Sequence, residues 1–157
     1  MSRHSLEAAL VPGRTIVLDT SAVLAYLNGN ERASPAAALV IDGHVRGGRN
    51  PATISSITVT EALVRPFRSG SPQVSLAESF LGHFPNLAIA VVTYEVAREA
   101  ARIRAATGLR TPDALILATA VVSGIELVVA NDDRWRVAIE AAAPSLTLVH
   151  LEAHVPI

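Results

Sequence analysis

"TIVLDTSAVLAYL", Thr15 to Leu27, sets a single carboxylate, Asp19, directly behind a β-branched apolar run and directly ahead of a helical one. Ile16 to Asp19 reads as a buried strand, and Thr20 to Leu27 as a helix that starts at its carboxyl end. An ionised carboxylate at such a junction must be hydrogen-bonded, paired or bound to a cation, because burying it alone is too costly. Its partner has to come from the rest of the chain.

The same alternation continues outward. Ser34 to Val45 reads as a second helix, with Pro35 at a first-turn position, and Ala52 to Ile54 as a short strand followed by a helix through "ITVTEALVR" that Pro66 stops. A polar-capped helix in "SGSPQVSLAESFLGHFP" leads to a third strand over Ala88 to Val92. Tyr94 to Thr107 and "TPDALILATAVVSG" follow as helices, the second with Thr111 as cap, Pro112 in its first turn and Gly124 beyond its end. Leu127 to Ala130, a helix in "NDDRWRVAIEAA" and Leu146 to His150 complete the pattern. Strands alternating with helices predict an α/β fold of three layers, a parallel sheet of about five strands flanked by helices. A leader over 1–14, one domain over 15–150 and a tail over 151–157 are expected.

Composition narrows the chemistry. With 157 residues the chain is long enough for one core without staples, and no cysteine is present, which excludes disulfides, zinc thiolates and thiol nucleophiles. All 13 basic residues are arginine, so Schiff-base lysines and phosphate-binding P-loop lysines are excluded as well. A net charge of −1 leaves any nucleic-acid contact to local arginine clusters. The oiliest window, Ala114 to Ala130, is broken by Thr119, Ser123, Gly124 and Glu126 and falls short of the ~20 apolar residues of a membrane span. With no apolar signal segment at the start, a cytoplasmic location is expected. Half of the residues are apolar and only 17% are charged, a greasy balance that partner surfaces would help to cover.

The aspartates are few: Asp19, Asp42, Asp113, Asp132 and Asp133. Asp19 ends the first strand and Asp132 follows the fourth, and ligands of open α/β sheets gather at that carboxyl edge. Asp113 in the first turn of its helix and Glu61 after the second strand fall at the same edge. Each has an ordinary alternative: Asp19 as an N-cap, Glu61 as half of a capping box with Thr58, Asp113 as a helix-dipole acid, and Asp132 and Asp133 as turn residues. Jointly they point to a hard divalent cation, Mg²⁺ or Mn²⁺, held by oxygens alone and serving phosphoryl chemistry. Arg65 and Arg68, shortly after Glu61, read either as a solvated helix end or as a phosphate or partner contact.

"IVLDTSAVLAYL", "ISSITVTEALVR", "LRTPDALILATA" and "LVVANDDRW", in this order and spacing, resemble the PIN domain, most closely the single-domain ribonucleases that act as VapC toxins of toxin-antitoxin pairs. The resemblance extends from about Thr15 to about His150. It implies a five-stranded parallel sheet, an acidic pocket for Mg²⁺ or Mn²⁺, and hydrolysis of single-stranded or loop RNA. Carried over by position, Asp19, Glu61, Asp113 and Asp132 are the catalytic acids. Asp19 and Asp113 are the central metal ligands, and Glu61 and Asp132 ligate directly or through water. Ser21 and Asn131 orient them, Thr20 is left as a plain cap, and Trp135 is core packing. Ala130 departs from a frequent hydroxyl residue, so Asp133 competes with Asp132 for the fourth role. The resemblance further implies a homodimer and a cognate VapB-like antitoxin.

Two alternatives keep the fold but not the toxin role: a catalytically silent RNA- or protein-binding module, and a housekeeping nuclease without antitoxin. Phosphatases of the haloacid-dehalogenase type and receiver domains also begin with an aspartate after strand one, but both need a lysine.

Overall fold

The expected parallel sheet is present in the computed structural model of the chain, which describes residues 3–155. Strands β1 (Ile16–Leu18), β2 (Ala52–Ser55), β3 (Leu87–Ala90), β4 (Leu127–Ala130) and β5 (Thr147–His150) pair in parallel in the order β3-β2-β1-β4-β5. Between them run α1 (Arg3–Ala9), α2 (Thr20–Asn28), α3 (Ser34–Ala38), α4 (Ser56–Ser69), α5 (Ser71–His83), α6 (Tyr94–Thr107), α7 (Thr111–Ser123) and α8 (Arg134–Ala142). The chain order reverses direction across the sheet at β1 and β4, and the crevice outside their carboxyl ends is where such sheets bind ligands.

Alternation along β1 divides the core. Ile16 and Leu18 point to one face, with Leu6, Leu10, Ile41 and Ile54, while Val17 points to the other, with Ile103, Ile116, Leu117, Val128 and Trp135. Trp135 is fully buried, as its reading as core requires. Every residue of β1 and β4 is buried because helices cover both faces of the sheet centre, whereas the edge strand β3 leaves Ile89 43% exposed.

Several local readings are corrected. Pro66 does not stop α4, which continues to Ser69. A proline withholds only its own N–H, here the one that would meet the Ala62 carbonyl, and the next turn re-forms, with Gly70 N–H donating to the Pro66 carbonyl at 3.0 Å. Thr111 is the first helical residue of α7 rather than its cap, a place taken by the extended Arg110. The third strand begins and ends earlier than expected, at Leu87 and Ala90. The segment Ser34–Val45 is helical, but over Leu39–Val45 it widens into a π-helix, with Arg46 N–H reaching the Ile41 carbonyl at 2.9 Å.

That wide turn buries His44, whose Nδ1 meets Asn50 Oδ1 at 3.1 Å, and Asn50 Nδ2 donates to the carbonyls of Val11 and Arg14 at 2.7 and 2.9 Å. The segment expected as a leader is thereby fastened to the core, with Leu6 and Leu10 almost wholly buried. The first two residues of that leader, and the last two of the expected tail, lie outside the described residues.

Candidate functional site

Asp19 follows β1 and its backbone N–H donates to the Val129 carbonyl of β4 at 2.9 Å, so the residue is placed by the sheet itself. Its carboxylate caps α2 by accepting the Ser21 backbone N–H at 3.1 Å and the Ser21 hydroxyl at 2.5 Å. The same Ser21 Oγ accepts the Asn131 backbone N–H at 2.9 Å, tying the acid after β1 to the loop after β4. Asp19 is only 4% exposed, and burial pushes its carboxyl up to about 6 against the Ser21 bonds, with the nearby Asp113 charge adding to the rise. Asp19 thus caps α2 and at the same time stands as a buried carboxyl beside a second acid.

The other three acids arrive from three more segments. Glu61, one turn into α4, accepts the Thr20 hydroxyl on Oε1 at 2.7 Å, and that hydroxyl lies 3.1 Å from Thr58 Oγ1. This corrects two readings: Thr20 is no plain cap, and Thr58 and Glu61 form no capping box, since α4 is capped by Ser55. Asp113 sits in the first turn of α7, 6% exposed, with Arg110 Nε donating to its Oδ2 at 3.0 Å. Asp132, in the turn after β4, is gripped by Arg134, and the guanidinium holds its carboxyl below the usual aspartate range.

All four acids line one open cleft of about 420 Å³ at the carboxyl edge of the sheet, together with Ser21, Asn131 and Arg110. Asn131 itself is fixed by Glu152, which accepts its side-chain N–H at 2.9 Å and donates its own backbone N–H to Asn131 Oδ1 at 3.1 Å. Asp133 also reaches the rim, but its side chain is 88% exposed with Oδ1 3.3 Å from His150 Nε2, whereas Asp132 is 20% exposed. That difference favours Asp132 for the fourth place.

The cleft has two halves. Asp113 and Asp132 are each hydrogen-bonded by an arginine, while Asp19 and Glu61 accept from hydroxyl and amide groups and Glu61 lies within the field of Arg110. Among the described residues no three Asp, Glu or His stand in a ready-made ligand cluster, and two of the four acids are paired with arginines. The donor set nonetheless fits a hard cation: it is oxygen only, and the buried Asp19 carboxylate has an acid for a neighbour and no cation of its own. Such a set can bind a divalent ion against a phosphodiester.

Arg65 and Arg68 lie apart from this cleft. Arg65 is exposed and lines a separate groove of about 290 Å³ with Leu24, Leu27, Leu76 and Ala77, and Arg68 is exposed one turn further along α4. The acids are legible from their joint placement and Ser21 and Asn131 from the family resemblance, whereas Arg110, Arg134 and Glu152 are picked out by neither. Arg110 and Arg134 stand three and two residues from their acids, a spacing that becomes an ion pair only once the backbone turns them together. Nothing in the sequence links Glu152 to Asn131.

The sequence matches the family model of the PIN domain over residues 16–140. No functionally curated protein matches it. Among solved structures it is similar to a toxin-antitoxin complex from Klebsiella pneumoniae, with 20% identity and a TM-score of 0.62 over 85% of this chain and 96% of that one. It is similar to VapC20 of Mycobacterium tuberculosis, a sarcin-ricin-loop-cleaving toxin, with 19% identity and a TM-score of 0.63 over 79% and 95%. It is also similar to FitAcB from Neisseria gonorrhoeae, with 22% identity and a TM-score of 0.63 over 82% and 95%. At these identities the likeness to the solved structures is one of fold.

Proposed function

The chain belongs to the PIN-domain family, and on that premise we propose that it is a metal-dependent endoribonuclease acting as the toxin of a type II toxin-antitoxin pair. The observation that carries the reading is the buried Asp19 carboxylate, set beside Asp113 and flanked by Glu61 and Asp132 in one cleft. Asp19 and Asp113 are assigned as the central ligands of Mg²⁺ or Mn²⁺, with Glu61 and Asp132 ligating directly or through water. The bound ion supplies charge neutralisation at the scissile phosphate and a more acidic attacking water. The protein supplies placement: Ser21 fixes Asp19 and joins it to Asn131, Thr20 fixes Glu61, and Glu152 fixes the Asn131 side chain. These bonds hold the acids before substrate arrives, so little reorganisation is left for the reaction itself.

Partners follow from the same family. The neighbouring structures include VapBC complexes from Rickettsia felis and Salmonella typhimurium, which supports a VapB-like antitoxin. Phe67, Leu76, Val91 and Tyr94, each at least 65% exposed, are apolar surface for that antitoxin and for a second copy in a homodimer to cover. Arg65 and Arg68 are assigned to RNA or antitoxin contact, Arg65 at the mouth of the apolar groove between α2, α4 and α5. Among the described residues no helix is long and apolar enough to cross a membrane, which accords with a cytoplasmic setting.

The test is RNA cleavage by the purified protein freed of partners. Cleavage is expected in Mg²⁺ or Mn²⁺, to stop with a chelator, and to fall at least about a hundredfold in Asp19→Asn with the fold retained. Equal cleavage by wild type and Asp19→Asn contradicts the catalytic assignment.

A further inference from the structure

Arg110 and Arg134 do more to the acid cleft than decorate its edge. Arg110 spans both oxygens of Asp113, with Nε to Oδ2 at 3.0 Å and Nη2 to Oδ1 at 3.4 Å. Arg134 places Nε 3.0 Å from each oxygen of Asp132 and adds its backbone N–H to Oδ1 at 2.9 Å. Both guanidiniums are mostly in water, at 63% and 60% exposure. Together they also line a neighbouring cavity of about 410 Å³ between the end of α6 and α8, with Leu109, Val137 and Ala138. Arg110 therefore stands on the wall shared by that cavity and the acid cleft, and Arg134 is joined to the cleft through Asp132.

We propose that Arg110 and Arg134 are exchangeable counterions: a divalent cation takes Asp113 and Asp132 from them, and the released guanidiniums bind backbone phosphates of the RNA strand on this side of the cleft. This rests on the proposed nuclease function. In each pair the guanidinium is in water although the acid is largely buried, so a competing cation at the acid can release the arginine to solvent. Asp19 and Glu61 are held by hydroxyl groups rather than by a guanidinium hydrogen bond, so they offer oxygens to the ion without an arginine having to let go. Once Asp113 and Asp132 are taken, two guanidiniums are left close together without anions, and a phosphodiester restores the balance. The planar fork that grips a carboxylate at two points matches a phosphate equally well. The pairs span three and two residues of chain, so release needs side-chain rotation alone.

The test compares wild type with the double variant Arg110→Met, Arg134→Met. Titration calorimetry with Mn²⁺ is expected to show about three- to tenfold tighter metal binding in the variant, because the competing cations are gone. Anisotropy with a short single-stranded DNA as backbone probe, its integrity checked by gel, supplies the second readout. In Mn²⁺ the variant is expected to bind more weakly, with a salt slope lower by about 1.4, the share of two phosphate contacts on a single strand. In chelator the two proteins are expected to bind alike, since the wild-type arginines are then engaged by their acids. Arg110→Lys with Arg134→Lys is expected to restore the salt slope, and each single variant to give part of both effects.

Unchanged or weaker Mn²⁺ binding in the variant overturns the exchange, as does an equal loss of DNA affinity with and without metal. If wild type cleaves RNA in Mn²⁺ while these comparisons fail, only the exchange is lost. If wild type neither binds Mn²⁺ nor cleaves RNA, the nuclease reading falls and the exchange with it.

Discussion

At the scale of single residues, Asp19 is a helix cap whose carboxyl is also buried at the acid cleft. It caps α2, yet burial lifts its carboxyl to about 6 from an ordinary 3.8, so in the metal-free protein the folded state holds a proton that the unfolded state has released. Stability is therefore expected to fall as pH rises from about 4 to about 6, by roughly 3 kcal/mol over the window. Denaturant titration across that range checks it, and Asp19→Asn should flatten the decline; a parallel decline in the variant would count against it. Asp132 acts with the opposite sign and at lower pH. Arg134 holds its carboxyl down, so its contribution is present at neutral pH and is lost as pH falls below the ordinary aspartate value. The acids are legible jointly, because all four fall at one edge of the sheet, while singly each has an ordinary reading as a cap or turn residue. Their arginine partners are not legible, because Arg110 and Arg134 look like any solvated charge until the backbone turns them onto Asp113 and Asp132.

At the scale of elements, short side-chain ties decide how precisely the strand ends are registered. Ser21 joins the loop after β1 to the loop after β4, so Ser21→Ala should cost about 1–2 kcal/mol. Loss of a group that orients a metal ligand should also reduce cleavage about ten- to a hundredfold. Unfolding curves and cleavage rates on the same preparation check both; an unaltered rate would show that Asp19 does not need the tie. Asn50 is the contrasting case. It fastens the Val11 and Arg14 carbonyls far from the cleft, so Asn50→Ala should cost roughly 2–3 kcal/mol with cleavage per folded molecule unchanged. Helix existence was readable from apolar spacing and flanking Gly and Pro. Helix ends were not: Pro66 is carried within α4, Arg110 displaces Thr111 at the start of α7, and an extra residue widens the turn before Val45. Each outcome depends on packing that a local pattern does not contain.

At the scale of the whole molecule, the alternation of strands and helices made the sheet and its layers legible, and the strand-end positions of Asp19 and Asp132 followed from it. What the pattern lacked was charge balance inside the cleft. Four acids at one edge predict an unshielded cluster, whereas in the folded chain two of them are already neutralised. Metal binding should stabilise the protein by mass action, by about 2.7 kcal/mol at a hundredfold excess over Kd. For a chain of this size that corresponds to a rise of roughly 5–10 °C in Tm. Asp19→Asn should show little of this rise, and an equal rise in both proteins would place the ion elsewhere. The account turns on where the cation sits, and anomalous diffraction from Mn²⁺-soaked crystals locates it directly. A peak between Asp19 and Asp113, within ligand distance of both at about 2.0–2.2 Å, is the expected result; a peak elsewhere, with the Asp19 cleft empty, would contradict the account.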